Sequence, residues 1–165
     1  MKRIISVTLS FLLLAFTASS IVYAQAKGSI ELRMTAEQEI EVVNADGEKE
    51  MRRIEAAKVV PGDEVIYTIH YMNAGAEPAD SVVITNPIPI HMMYKEGSAS
   101  GEGTAITFSV DGGKTYDLPE NLIILDSKGK ERPATASDYT HVRWTLTGSL
   151  LPETGGNVSF RAILE

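Results

Sequence analysis

Cysteine is absent from the 165 residues. Disulfides are excluded, and stability has to come from core packing. Positive charge is in short supply, with 15 basic residues against 22 acidic ones and a formal net charge of −7. That balance opposes binding to phosphate backbones or to anionic membrane surfaces, so no nucleic-acid partner is expected. Beyond residue 24 there is no second long apolar run, so no transmembrane segment is expected in the remainder. Nucleophile elbows, phosphate loops and dinucleotide fingerprints are missing. The three histidines, His70, His91 and His141, lie far apart with no HxH or HExxH spacing. Asp63 with Glu64, or Asp111 with Asp117, could offer oxygens to calcium but lack EF-hand spacing. The expectation is a non-enzymatic chain with no catalytic residues, no cofactor and no metal site.

The amino terminus has its own pattern. Lys2 and Arg3 precede a mostly apolar stretch from Ile4 to Phe16, and Val22-Tyr23-Ala24 places small residues where a signal peptidase reads. Residues 1–24 are therefore expected to be a cleaved signal peptide, leaving a chain that begins at Gln25. Removing Lys2 and Arg3 leaves 13 basic and 22 acidic residues, a net charge of −9. The remaining 141 residues (165 minus 24) suffice for one domain that buries roughly two-thirds of its unfolded surface. Within it, residues 25–58 read as amino-terminal strands leading into a body at 59–165. The expected location is outside the cytoplasm, periplasmic or extracellular.

Strand signals dominate the rest of the chain. Val65, Tyr67, Ile69 and Tyr71 alternate with Ile66, Thr68, His70 and Met72, the period-two pattern of a half-buried strand. Pro61-Gly62-Asp63 and Asn73-Ala74-Gly75 are turn chemistry on either side. A second strand, Val82 to Thr85, ends at Pro87 and Pro89, because proline cannot donate to a ladder. Residues 29–34 and 40–43 read as strand, Asn44-Ala45-Asp46-Gly47 as a hairpin turn, and about 50–58 as the return. Frequent Ala and Glu over 36–58 also suit a helix, although Asp46-Gly47 in the middle interrupts one. Further strands are expected around Ile106–Val110, Leu122–Leu125, Val142–Leu146 and Val158–Leu164, with loops at 95–104 and 130–139. Glu37, Glu39 and Glu41 read as a solvated strand face. Trp144, Tyr67 and Phe160 all fall on apolar rows and are expected to share one core. Seven to nine short strands separated by turns predict an all-β sandwich with Greek-key connections.

The stretch Pro61-Gly62-Asp63, Tyr67, Asn73, Gly75, Ala79, Val83 and Pro89 resembles the signature of the bacterial surface repeat family known as domain of unknown function number eleven. The chain has Asn86 where that family often has Asp. Trp144 to Phe160, with Leu151-Pro152 and Gly156 between, resembles the family's ending, so the likeness spans about residues 59–165. The resemblance implies an immunoglobulin-like sandwich, here as a single copy of a module usually found in tandem, in an exported bacterial protein. It implies no reaction.

Two motifs have competing readings. Leu151-Pro152-Glu153-Thr154-Gly155 matches the sorting motif of wall-anchored proteins, but the ten residues after it alternate as a strand and are too few and too polar to span a membrane. A turn between strands is the expectation. Ser109, Asp111, Gly113, Thr115 and Tyr116 resemble an Asp-box hairpin, in which the aspartate closes the turn and glycine permits positive φ. These five residues are the candidate interaction hairpin. The functional expectation is an exported cell-envelope module acting in structure or in protein–protein contact, its partner an unidentified envelope protein. The alternative is a glycan-binding module that uses the hairpin at 109–116 with Tyr94 and Tyr116.

Overall fold

The computed structural model describes residues 29–165. The expected signal peptide and its cleavage site lie outside them. Among the described residues eleven strands follow one another: β1 (Ile30–Val43), β2 (Lys49–Glu55), β3 (Glu64–Asn73), β4 (Val83–Pro87), β5 (Met92–Tyr94), β6 (Ser100–Gly101), β7 (Thr104–Ser109), β8 (Ile123–Leu125), β9 (Glu131–Pro133), β10 (His141–Leu146) and β11 (Gly155–Leu164). Helical structure among the described residues is confined to two 3-10 turns, Pro119–Asn121 and Ala136–Asp138. The all-β sandwich expected from the alternating patterns is the fold observed. The strand number exceeds the expected seven to nine because β5, β6, β8 and β9 have only two or three residues each.

Two sheets of unequal width face each other. The larger runs β2-β1-β3-β11-β5, with β6 also pairing β11, and the smaller runs β4-β10-β7. All pairings in both sheets are antiparallel. The chain passes between these sheets from β3 to β4, from β4 to β5, from β6 to β7 and from β10 to β11, and β3 and β11 end as neighbours although distant in sequence. The period-two pattern explains which faces meet. Val65, Ile69 and Tyr71 of β3 and Val158, Phe160 and Ala162 of β11 are buried on one side, opposite Ile84, Phe108, Val142 and Trp144. Trp144 and Phe160 have no exposed surface. Their ring centroids lie 6.2 Å apart, and Tyr67 stacks on Phe160 at 5.0 Å. The expected three-residue core therefore forms.

Residues 36–58 fold as a hairpin and not as a helix. The Asn44 side-chain oxygen accepts the N–H groups of Asp46 and Glu48 at 3.0 and 2.9 Å. Gly47 takes a φ of +83°, which glycine adopts without steric cost. The loop at 95–104 contains β6, and the connection at 130–139 contains β9 and a 3-10 turn. That turn is closed by a capping box between Thr135 and Asp138 and by Arg132, which grips the Asp138 carboxylate with both terminal nitrogens at 2.7 and 2.8 Å. The Arg132 hydrogen bonds hold the Asp138 carboxyl well below the usual carboxylate range.

One residue departs from its expected row. Ile66 alternates with the core-facing side chains and belongs to the outer face of β3, yet it is only 3% exposed. Its cross-strand neighbours on that face are Glu37 of β1 and Arg161 of β11. Ion pairs made by Arg161 draw the β1–β2 hairpin and the Arg161 side chain towards one another above Ile66.

Candidate functional site

The five residues of the predicted hairpin are brought together in the turn that follows β7. Phe108 and Asp117 exchange both backbone hydrogen bonds, at 2.9 and 3.1 Å, and close the loop. Inside it, Asp111 accepts the Lys114 N–H at 3.0 Å, the Thr115 N–H at 3.0 Å, the Thr115 hydroxyl at 2.7 Å and the Ser109 hydroxyl at 2.7 Å. The Thr115 backbone and hydroxyl, then the Ser109 hydroxyl, hold the Asp111 carboxyl well below the usual carboxylate range. The buried Ser109 hydroxyl also accepts the Gly113 N–H at 2.9 Å. Gly113 has a φ of +82°, and a Cβ there would approach the Tyr116 hydroxyl at 2.9 Å and His141 Nε2 at 3.2 Å. The Arg143 guanidinium lies 3.4 Å from the centroid of the Tyr116 ring, a cation–π contact. Every oxygen of Asp111 thus serves the turn, and one face of Tyr116 is covered by the protein's own arginine.

The sorting-like motif forms a tight turn leading into β11. Thr154 N–H and its hydroxyl both donate to the Leu151 carbonyl, at 3.2 and 2.7 Å, and Glu153 has a φ of +58°. Gly155 and Gly156 then start β11 beside β3. A Cβ on Gly155 would stand 2.1 Å from the Tyr71 carbonyl oxygen, and one on Gly156 would stand 2.6 Å from the Tyr71 hydroxyl. The glycine pair has a packing reason within the sandwich. The turn is held by Asn73, which is fully buried. Its amide nitrogen donates to the carbonyls of Glu77 and Leu150 at 2.8 and 2.9 Å, and its side-chain oxygen accepts the Gly75 N–H at 2.9 Å. Its backbone N–H and C=O pair with Thr154 and Glu153. The Asn-x-Gly pattern marks Asn73 as a turn residue, but its junction between two loops could not be read from sequence.

The β1–β2 hairpin is the most exposed regular element. β1 pairs with β3 from Ile30 to Glu37, and from Glu37 to Val43 it pairs with β2. Every β2 residue is exposed, with Met51 at 63% and Val43 at 66%. At the base of this arm, Arg161 Nη1 bridges Glu39 at 3.0 Å and Glu64 at 2.6 Å. Lys95 pairs with Glu64, Arg53 with Glu39, and Gln38 donates to Asp63. The Arg161 and Arg53 hydrogen bonds lower the pKa of Glu39. Burial pushes the Glu64 carboxyl up, but the hydrogen bonds from Lys95 and Arg161 outweigh it and the net shift is downward. Of the acidic row read as solvated, Glu39 is in this network and Glu41 pairs with Lys49 at 2.7 Å.

The remaining candidates are apart from one another. Asp117 accepts the Leu118 N–H and the Asn121 amide, and Asp63 accepts the Val60 N–H. His70 is exposed on the outer face of the large sheet, 2.6 Å from the Asn157 side-chain oxygen, and His141 lies beside Tyr116. Among the described residues no group of three or more histidine or acidic side chains is arranged to hold a metal ion. No helix among them is long and apolar enough to cross a membrane. No family model matches the chain, and neither does any curated protein or solved structure.

Proposed function

We propose that this chain is an exported module of the bacterial cell envelope that works by binding another protein. The β1–β2 arm is the observation that carries the reading. It is a two-stranded ribbon reaching beyond the sheet, exposed throughout β2, with Val43 and Met51 open to contact. Its base is fixed by the Arg161 ion pairs, so the arm is presented in a defined direction. Exposed apolar side chains on ordered strands are a usual feature of protein interaction surfaces. The amino-terminal pattern Lys2-Arg3, Ile4–Phe16 and Val22-Tyr23-Ala24 supports export. The resemblance to the bacterial surface repeat family supports an envelope location.

The glycan-binding alternative draws less support. Asp111 is engaged by its own turn and Arg143 covers one face of Tyr116, which leaves less of the hairpin free for a sugar. The deciding experiment is capture of partners by the tagged, exported protein cross-linked in its native envelope. The processed chain should begin at Gln25, and one protein partner should be recovered. The double substitution Val43→Lys and Met51→Lys should diminish that recovery with the fold unchanged. Failure to recover any partner, or sugar binding lost on Tyr116→Ala, would reverse the assignment.

A further inference from the structure

We infer that Arg143 is a carboxylate-binding site on the outer face of the smaller sheet, and that it takes an acidic side chain of a partner protein. This rests on the reading of the chain as a protein-binding module and names the chemistry of a second contact, on the other sheet from the β1–β2 arm. Val142 and Trp144 face the core, so Arg143 between them points outward. It is half-buried, and its neighbours across the sheet are Thr85 of β4 and Thr107 of β7. Its Nε donates to the Thr85 hydroxyl at 3.3 Å, and its guanidinium carbon lies 3.4 Å from the centroid of the Tyr116 ring. These two contacts orient the plane of the guanidinium. Among the described residues neither terminal nitrogen meets an acceptor.

Four other arginines are held by acids. Arg52 pairs with Glu50, Arg53 with Glu39, Arg132 with Asp138, and Arg161 with Glu39 and Glu64. Arg143 is held by a hydroxyl and an aromatic ring, which orient its fork and leave its charge unpaired. No acid elsewhere in the chain can take that place. All 22 acidic residues lie between Glu31 and Glu165, so every side-chain carboxylate is on a described residue, and none of them forms an ion pair with Arg143. The terminal edge of a guanidinium presents parallel N–H donors that match the two oxygens of a carboxylate, and a fork oriented beforehand loses less entropy on binding.

The surroundings select the source of the carboxylate. Val83 is 49% exposed and shares the outward row of β4 with Thr85 and Pro87. An acid seated on Arg143 therefore has hydroxyl and apolar neighbours, which suit the residues that flank it in a protein segment. A sugar acid has less to rest on, because Arg143 itself occupies the Tyr116 ring face beside the fork. The net charge of −7 repels anions at a distance, which disfavours a polyanionic chain more than one acidic side chain within a protein contact.

The test uses the exported protein, isotope-labelled, titrated with a synthetic pentapeptide blocked at both ends, valine-threonine-glutamate-threonine-valine. The Arg143 Nε–H resonance should shift most, with amide shifts at Val83, Thr85 and Thr107. The same peptide with glutamine in place of glutamate should bind about tenfold more weakly or worse. Arg143→Lys keeps the charge and loses the fork. It should weaken the glutamate peptide and leave the glutamine peptide unchanged, with the amide spectrum showing the fold intact. Sodium glucuronate should bind more weakly than the glutamate peptide. Equal binding of the two peptides, shifts centred away from Arg143, no binding at millimolar concentration, or glucuronate binding as tightly as the peptide would each overturn the inference. If the glutamate peptide fails while envelope capture still recovers a partner through Val43 and Met51, the carboxylate site falls and the module reading stands. If both fail, both fall.

Discussion

Asn73 commits both amide hydrogens and its side-chain oxygen to three backbone groups at a site with no exposed surface. Asn73→Ala leaves the Gly75 N–H, at a buried residue, without its acceptor, and a buried group so stranded costs about 1–3 kcal/mol. Urea unfolding should show a loss in that range, with a larger loss for Asn73→Asp, whose carboxylate would face the carbonyls of Glu77 and Leu150. Gly155 makes a second residue-level argument. A methyl at this position meets the Tyr71 carbonyl at 2.1 Å and Met72 Cα at 3.0 Å, both backbone. Gly155→Ala should therefore destabilise by about 1–3 kcal/mol, as forced overpacking does. Thr154→Ala, at an exposed position one residue away, should stay within about 1 kcal/mol. Equal effects in the same urea series would remove the packing reason for the glycine. The sequence marks Asn73 and Gly155 as turn residues. Their requirements come from β3, Leu150 and Tyr71, which no local pattern names.

At the scale of elements, the arm depends on charges far apart along the chain, Glu39 and Arg161 being 122 residues apart. Both acids that meet Arg161 have lowered pKa values in the folded protein. A depressed carboxylate pKa contributes stability that is fully present above the unfolded value and is lost as pH falls through the folded one. The arm should therefore be anchored at neutral pH and loosen in acid. Hydrogen exchange, corrected for intrinsic rates, should show faster exchange across Gln38–Val43 at about pH 3 than at pH 7. Protection of β10, which lies in the other sheet, should change less. Arg161→Met should remove much of this difference by loosening the arm at both pH values. An arm equally protected at both pH values in the unsubstituted protein would show that pairing along β1 and β2 suffices to hold it. The hairpin itself is legible from Asn44-Ala45-Asp46-Gly47 and the flanking alternation. Its anchoring is not, because Arg161 sits on a strand whose apolar row points the other way, and the same contact explains why Ile66 is buried on an outwardly polar row.

For the whole molecule, alternation and turn residues were sufficient to place the long strands, since a half-buried sheet imposes period two wherever it occurs. The assignment of strands to sheets was not legible. Nothing local distinguishes Leu32 and Met34, whose face is open, from Ile69 and Tyr71, whose face is covered by the smaller sheet. Very short strands such as β6 and β9 exist through their partners and carry no period of their own. The centre of the molecule was legible, and Trp144 tests it. It lies between the sheets with no exposed surface, against Phe160, and large-to-small changes of this kind cost about 3–5 kcal/mol. Trp144→Ala should lower the denaturant midpoint accordingly, with the slope of the transition preserved. The indole N–H has no hydrogen-bond partner among the described residues. Trp144→Phe keeps an aromatic ring in the site and removes that donor, so its loss should be clearly smaller than that of the alanine variant. A Trp144→Ala loss below about 1 kcal/mol would mean that the two sheets do not depend on this side chain to stay together.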